Sequence, residues 1–176
     1  MPIIIAAVTV IGGLCLLDLL LTFGVIRRLR EHTDMLTRGP ARPELGLSAG
    51  ELPEPFSTVT IDGELVSGAA GLRVVAFFSS GCSICPERVA PFADYLSAHG
   101  IKRDSTLAVS IGPGSSPPPY LAEIAELARI CVEEDGGEIA KAFKIAGFPA
   151  FFVLDDDGAV VVSDHNPSAL PEPAAA

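Results

Sequence analysis

Hydrophobic and polar positions divide this chain of 176 residues into three unequal parts. Pro2 to Ile26 is one long apolar run with a single charge, Asp18. Residues 27–50 begin as a polar helical continuation to about Leu36. They then pass into a spacer rich in Gly, Pro and Ala, centred on Gly39-Pro40-Ala41-Arg42-Pro43, where proline removes helical options and stiffens the chain. From Glu51 onward short apolar segments alternate with polar turns, as expected for a domain with its own core.

Within that domain the pattern predicts a hairpin over Pro55 to Val66 around Asp62-Gly63, then a turn at Gly68 to Gly71. A buried strand follows from Leu72 to Phe78. Val89, Phe92, Ala93 and Leu96 share one face of a helix running from Cys85 to about His99, and Gly100 suits its stop. Leu107 to Ile111 reads as a second buried strand, Gly112 to Pro119 as a loop, Tyr120 to Ala128 as a helix and Arg129 to Val132 as a small strand. One or two helical turns over Glu138 to Lys144 lead to two antiparallel strands joined by Asp157-Gly158. Residues 164–176 are rich in Pro and Ala, show no packing pattern and read as a loose tail.

The first run is long enough for a membrane. At about 1.5 Å per residue it crosses a hydrocarbon layer of roughly 30 Å. A cleaved secretory signal fits poorly, because nothing basic precedes the run and no small-x-small site precedes Arg27. A lipoprotein site at Cys15 fails because Leu14 stands where a small residue belongs and the apolar run continues beyond it. The expectation is a retained single-pass anchor over residues 1–27, a spacer over 28–50 and a domain over 51–163.

Charge narrows the functions. All twelve Lys and Arg lie at or after Arg27, against 22 acidic residues, and the net charge is −10. Phosphate recognition needs a basic face, so nucleic acid is not an expected partner. The chemistry points instead to Cys82 and Cys85, two residues apart where the strand Leu72 to Phe78 gives way, through the small-residue turn Ser79-Ser80-Gly81, to a helix. The first turn of a helix has unpaired N–H groups and a positive potential. There a thiol pKa falls from about 8.5 to roughly 3.5–7.5, and the thiolate is the reactive form. The second sulfur lies close enough to displace a substrate from a mixed disulfide on the first.

Zinc is an alternative use of such a pair, but it needs four ligands. The remaining candidates, Cys15, Cys131, His32, His99 and His165, form no second close pair. Cys131 reads as a buried small hydrophobe, and among possible bases Glu87 and Glu138 neither carboxylate stands out. No metal, nucleotide or flavin signature is present, so no cofactor is expected.

The order strand, helix, strand, helix, hairpin resembles the thioredoxin-like fold, an α/β fold with a central mixed sheet flanked by helices. Within it the chain is most similar to membrane-anchored thiol:disulfide oxidoreductases of the TlpA and ResA kind, with the accessory protein of methylamine dehydrogenase a near relative. The residues that carry the resemblance are Leu52-Pro53, Asp62-Gly63, Phe77 to Cys85, and Gly147-Phe148-Pro149 through Asp155 and Gly158. It implies a Cys82–Cys85 dithiol/disulfide that exchanges with protein thiols and with an unidentified redox partner. It also implies a cis Phe148–Pro149 bond beside the cysteines, with Phe148, Pro149 and Gly81 contacting substrate. Only X–Pro bonds adopt cis at low cost, about 0.5–1 kcal/mol, and a strand end so fixed can accept an extended peptide. The chain departs from the family at Gly81, where a tryptophan is common, at Ala150, where a threonine is common, and in lacking a pattern for the final helix.

A peroxiredoxin-like peroxidase, a copper-delivery module and a scaffold that kept the fold are the alternative functions. Sidedness draws opposing signals. Arg27, Arg28 and Arg30 after the anchor favour a cytoplasmic domain, whereas disulfide handling favours the outside. Three arginines are a small bias and large domains cross regardless of charge, so the expected placement is extracytoplasmic.

Overall fold

The segment Val74-Val75-Ala76-Phe77-Phe78-Ser79 forms the central strand of the domain because nearly every one of its side chains is apolar and both faces of the strand are covered. The computed structural model describes residues 45–172 together with the helical Gly12 and Gly13. The expected anchor over Pro2 to Ile26 and the spacer helix after it otherwise lie outside the described residues. Among those described, no helix is long and apolar enough to cross a membrane. The chain divides into two units, Met1–Pro43 and Glu44–Ala176, and the second carries the fold.

That unit is built from β1 (Ser57–Val59), β2 (Leu65–Ser67), β3 (Val74–Ser79), α1 (Cys85–Ala98), β4 (Thr106–Ile111), β5 (Arg129–Glu133), α2 (Glu138–Ala142), β6 (Ala150–Leu154) and β7 (Val160–Asp164). β1 and β2 form a separate antiparallel hairpin, closed by Thr60 N–H to Glu64 O at 2.9 Å with Gly63 at φ 82°. The five other strands form one mixed sheet in the order β5-β4-β3-β6-β7. β3 runs parallel to β4 and antiparallel to β6.

Alternation along the strands splits the core between the two faces. On one face Val75, Phe77, Leu107, Val109, Phe152 and Leu154 pack under the hairpin and α2, through Phe56, Ile139 and Phe143. The rings of Phe77, Phe143 and Phe152 lie 5.2 to 5.7 Å apart in tilted and edge-on contacts, a favoured geometry for aromatic pairs. On the other face Val74, Ala76, Phe78, Phe151 and Val153 pack against Val89, Phe92 and Leu96 of α1.

Three segments differ from the sequence reading. Residues 119–124 form a 3-10 helix rather than the first turns of an α-helix over Tyr120 to Ala128. Its bonds run Leu121 N–H to Pro118 O and Ala125 N–H to Ala122 O. In that geometry residues three apart eclipse, so Leu121 and Ile124 both enter the core.

Residues 45–50, assigned from sequence to the spacer, belong to the packed domain. Leu45 and Leu47 are buried, Leu47 N–H donates to Phe143 O, and Ala146 N–H donates to Leu45 O. Gly46 between them passes so close that a Cβ there would sit 2.3 Å from Phe143 O.

Residues 164–172, expected to be loose, also pack. Pro167 to Ala169 form a 3-10 turn, Leu170 is buried against the α1 face, and Tyr95 Oη donates to Pro171 O at 2.8 Å. The apolar period was too short to register in the sequence. Only the sheet face left open beside α1 gives Leu170 somewhere to go.

Leu170→Ala is therefore expected to cost about 2–3 kcal/mol, the lower part of the range for buried leucines, whereas a free tail would make it neutral in a denaturant titration. The same segment sets an alkaline limit. Burial, with a further contribution from the charge of Glu172, pushes the Tyr95 phenol from 10.0 up to about 12. The unfolded chain then loses this proton first, so the stabilisation is complete below about pH 10 and disappears as pH rises through about 12. Unfolding free energies measured across that window should decline less steeply in Tyr95→Phe than in the parent chain.

Candidate active site

β3 ends at Ser79 and the chain turns through Ser80 and Gly81 to Cys82 before α1 begins at Cys85. The turn is tied from several sides. Ser79 O accepts from Cys82 N–H at 3.1 Å and from Tyr120 Oη at 3.2 Å, and Ser80 N–H donates to Ile111 O at 3.0 Å. The Tyr120 ring meets Phe78 edge-on, 6.4 Å between centroids. Gly112 passes so close to Ser80 that a Cβ on it would lie 2.0 Å from Ser80 Oγ. Gly81 is exposed, and among the described residues a Cβ there would meet only Ser79 Oγ at 4.0 Å.

The two cysteines differ sharply in exposure. They are joined as a disulfide with Cα atoms 5.4 Å apart. Cys85 is the first residue of α1 and fully buried, whereas Cys82 stands in the preceding turn and is half-buried. The N-cap residue Ile84 makes no side-chain cap bond, and Pro86 in the first turn has no N–H to leave unpaired. The helix start places a positive potential beside the sulfur pair, opposed in part by Glu87 in the first turn.

The Phe148–Pro149 bond is cis. Its position follows from strand register. Ala150 pairs with Phe77 in the antiparallel β3–β6 ladder, so Pro149 and Phe148 continue alongside Phe78 and Ser79, the residues that lead into the cysteine turn. Pro149 is buried and Phe148 half-buried, packed against the cores of both faces. Among the described residues, Phe148 takes part in none of the backbone hydrogen bonds of the loops and turns. Pro149 O accepts from His165 Nδ1 at 2.5 Å. Beside Phe148 opens a cleft of about 700 Å³, lined among others by Ile111, Ala140, Lys141 and Lys144. Since Ile111 pairs with Ser79, the cleft lies at the same end of the sheet as the cysteines.

Cys82, Cys85, Gly81, Phe148 and Pro149 are thus gathered at the carboxyl end of β3. Glu87 is exposed on α1, and Glu138 opens α2. The carboxylate that caps α2 is instead Glu133, accepting from Ile139 N–H at 2.9 Å and Ala140 N–H at 3.2 Å. Among the described residues no three His, Cys, Asp or Glu side chains converge on a common point. Sequence reasoning missed Tyr120, Gly112 and His165. The Gly112 to Pro119 loop signalled only a turn, and His165 lay in a tail without periodicity.

No family model and no curated protein sequence matches the chain. Its fold is similar to that of a thio-disulfide isomerase from Thermus thermophilus, with TM-score 0.52 and 20% identity over 67% of this chain and 86% of that one. The thioredoxin domain of a thiol-disulfide oxidoreductase from Bacteroides vulgatus matches at TM-score 0.51 and 18% identity, over 67% and 89%. A secreted disulfide oxidoreductase from Mycobacterium tuberculosis matches at 0.50 and 17%, over 66% and 87%. The domain accordingly has the thioredoxin-like α/β fold, with a mixed central sheet and a Cys-x-x-Cys pair where β3 meets its helix.

Cys131 stands apart from this chemistry. It is buried in β5, and burial first, then the charge of Glu133, pushes its thiol from 9.0 up to about 12. At pH 8 iodoacetamide should alkylate Cys82 in the reduced chain and leave Cys131 untouched until denaturant is added, which mass mapping of alkylated peptides would reveal.

Proposed function

We propose that this chain is a thiol:disulfide oxidoreductase acting on protein substrates, tethered by the apolar segment Pro2 to Ile26 with its domain outside the cytoplasm. The observation that carries the reading is the unequal exposure of a bonded cysteine pair at a helix start, at the same end of the sheet as Pro149. The likeness in fold to thiol-disulfide oxidoreductases supports it. The tether rests on the hydropathy of residues 2–26 alone.

In the reduced pair, Cys82 is the sulfur a substrate can reach, and the helix end favours its thiolate. The Cys82 thiolate attacks one sulfur of a substrate disulfide. A new S–S bond joins enzyme and substrate, and the second substrate sulfur departs as thiolate and takes a proton from solvent. Cys85, buried one residue pair away, then attacks Cys82 Sγ. This closes the Cys82–Cys85 disulfide and releases the remaining substrate thiol. Two electrons have passed to the substrate, and a dithiol redox partner returns them. Burial of Cys85 keeps its own thiol from reacting with outside disulfides before that step. Phe148 and Pro149 bind the substrate segment as an added strand, while Gly81 leaves the approach to Cys82 open.

Insulin reduction by the full chain, with dithiothreitol as the electron source, tests the assignment. Cys82→Ser should fall to the uncatalysed background, and Cys85→Ser should accumulate a mixed disulfide visible on a non-reducing gel. Equal rates for the parent and Cys82→Ser would remove the proposal.

A further inference from the structure

We infer that His165 is a positioning residue for the substrate strand, an inference that rests on the exchange reaction proposed above. A carbonyl oxygen only accepts, so the contact between His165 Nδ1 and Pro149 O requires a proton on Nδ1. Both the neutral Nδ1–H tautomer and the imidazolium supply that donor.

The ring also packs over the loop it holds. A Cβ on Gly147 would come 3.4 Å from His165 Cε1. His165 follows directly on β7, whose ladder with β6 ends at Phe151 and Asp164. Beyond that pair the next residue of β6 is Ala150, and Pro149 lies past the end of the strand. The imidazole thus carries the β6–β7 connection two residues further, to the carbonyl beside Phe148.

The neighbouring residue ties the same segment to the redox helix. Asn166 Oδ1 accepts from Arg88 Nη1 at 3.3 Å, one turn after Cys85, and from Ser168 N–H at 3.3 Å. Asn166 N–H is itself held by Asp164 Oδ1 at 2.9 Å. Two adjacent residues consequently link the Pro149 loop to α1, the element that begins with Cys85. With Pro149 O occupied by the imidazole, the loop is oriented on its β7 side, and the main chain of Phe148 is left for the incoming peptide.

His165→Ala removes the donor, whereas His165→Asn places an amide N–H near the former Nδ1 and is expected to restore it. The test compares exchange by the full chain with a peptide disulfide, which needs strand pairing, and with a small dithionitrobenzoate disulfide, which does not. His165→Ala should raise KM for the peptide about five- to tenfold, the worth of one positioning hydrogen bond, with kcat little changed. The peptide-to-small-disulfide ratio of kcat/KM should fall accordingly, and His165→Asn should recover most of it. A parallel fall for both disulfides, a drop in kcat alone, or no rescue by Asn would overturn the inference by assigning His165 a general structural role. An unchanged ratio in His165→Ala, with the parent chain active on both disulfides, would overturn it as well while leaving the exchange reaction standing. A parent chain inactive on both would remove the exchange reaction itself.

Discussion

The antiparallel ladder between β3 and β6 is the constraint on which the rest of the site depends. β3 brings the cysteine turn to the end of the sheet, and pairing Phe77 with Ala150 obliges the Phe148-Pro149 segment to run beside that turn. The two pieces are 64 residues apart in sequence, measured from Cys85 to Pro149. Register is stringent here because side chains alternate between faces. A slip by one residue would move Phe151 and Phe152 to the wrong cores as well as misplace Pro149.

Around that ladder the two faces do different work. The face under the hairpin and α2 is closed by interlocking phenylalanines and by Leu45 and Leu47, and neither Cys82 nor Cys85 belongs to its cluster. The α1 face includes Cys85 itself, packed with Val89, Phe92 and Phe151. Burial thus makes the two thiols inequivalent although the motif is nearly symmetric in sequence. The cysteine in the turn is partly exposed, and its partner is buried.

The tail supplies what a final helix would otherwise provide. Leu170 covers part of the α1 face, Tyr95 fastens the segment through Pro171 O, and His165 and Asn166 reach the Pro149 loop and Arg88. A short strap offers less buried area than a helix. It compensates with hydrogen bonds directed at both elements of the site.

Local pattern determined most of the elements and the reactive pair. A short continuous apolar segment between turn residues reads as a doubly covered strand, Asp-Gly favours a turn, and two cysteines after small residues at a helix start point to thiol chemistry. These signals reside in neighbouring residues, so they are readable without a fold. The unequal burial of Cys82 and Cys85, the close pass of Gly112 against Ser80, the Tyr120 contact with Ser79 O and the placement of His165 on Pro149 O were decided only in three dimensions. Each joins segments remote in the chain, and nothing in the residues flanking Gly112, Tyr120 or His165 encodes the partner it meets. Packing of the tail was hidden for the same reason: one leucine has no periodicity, and its burial exists only because the sheet leaves a face for it to cover.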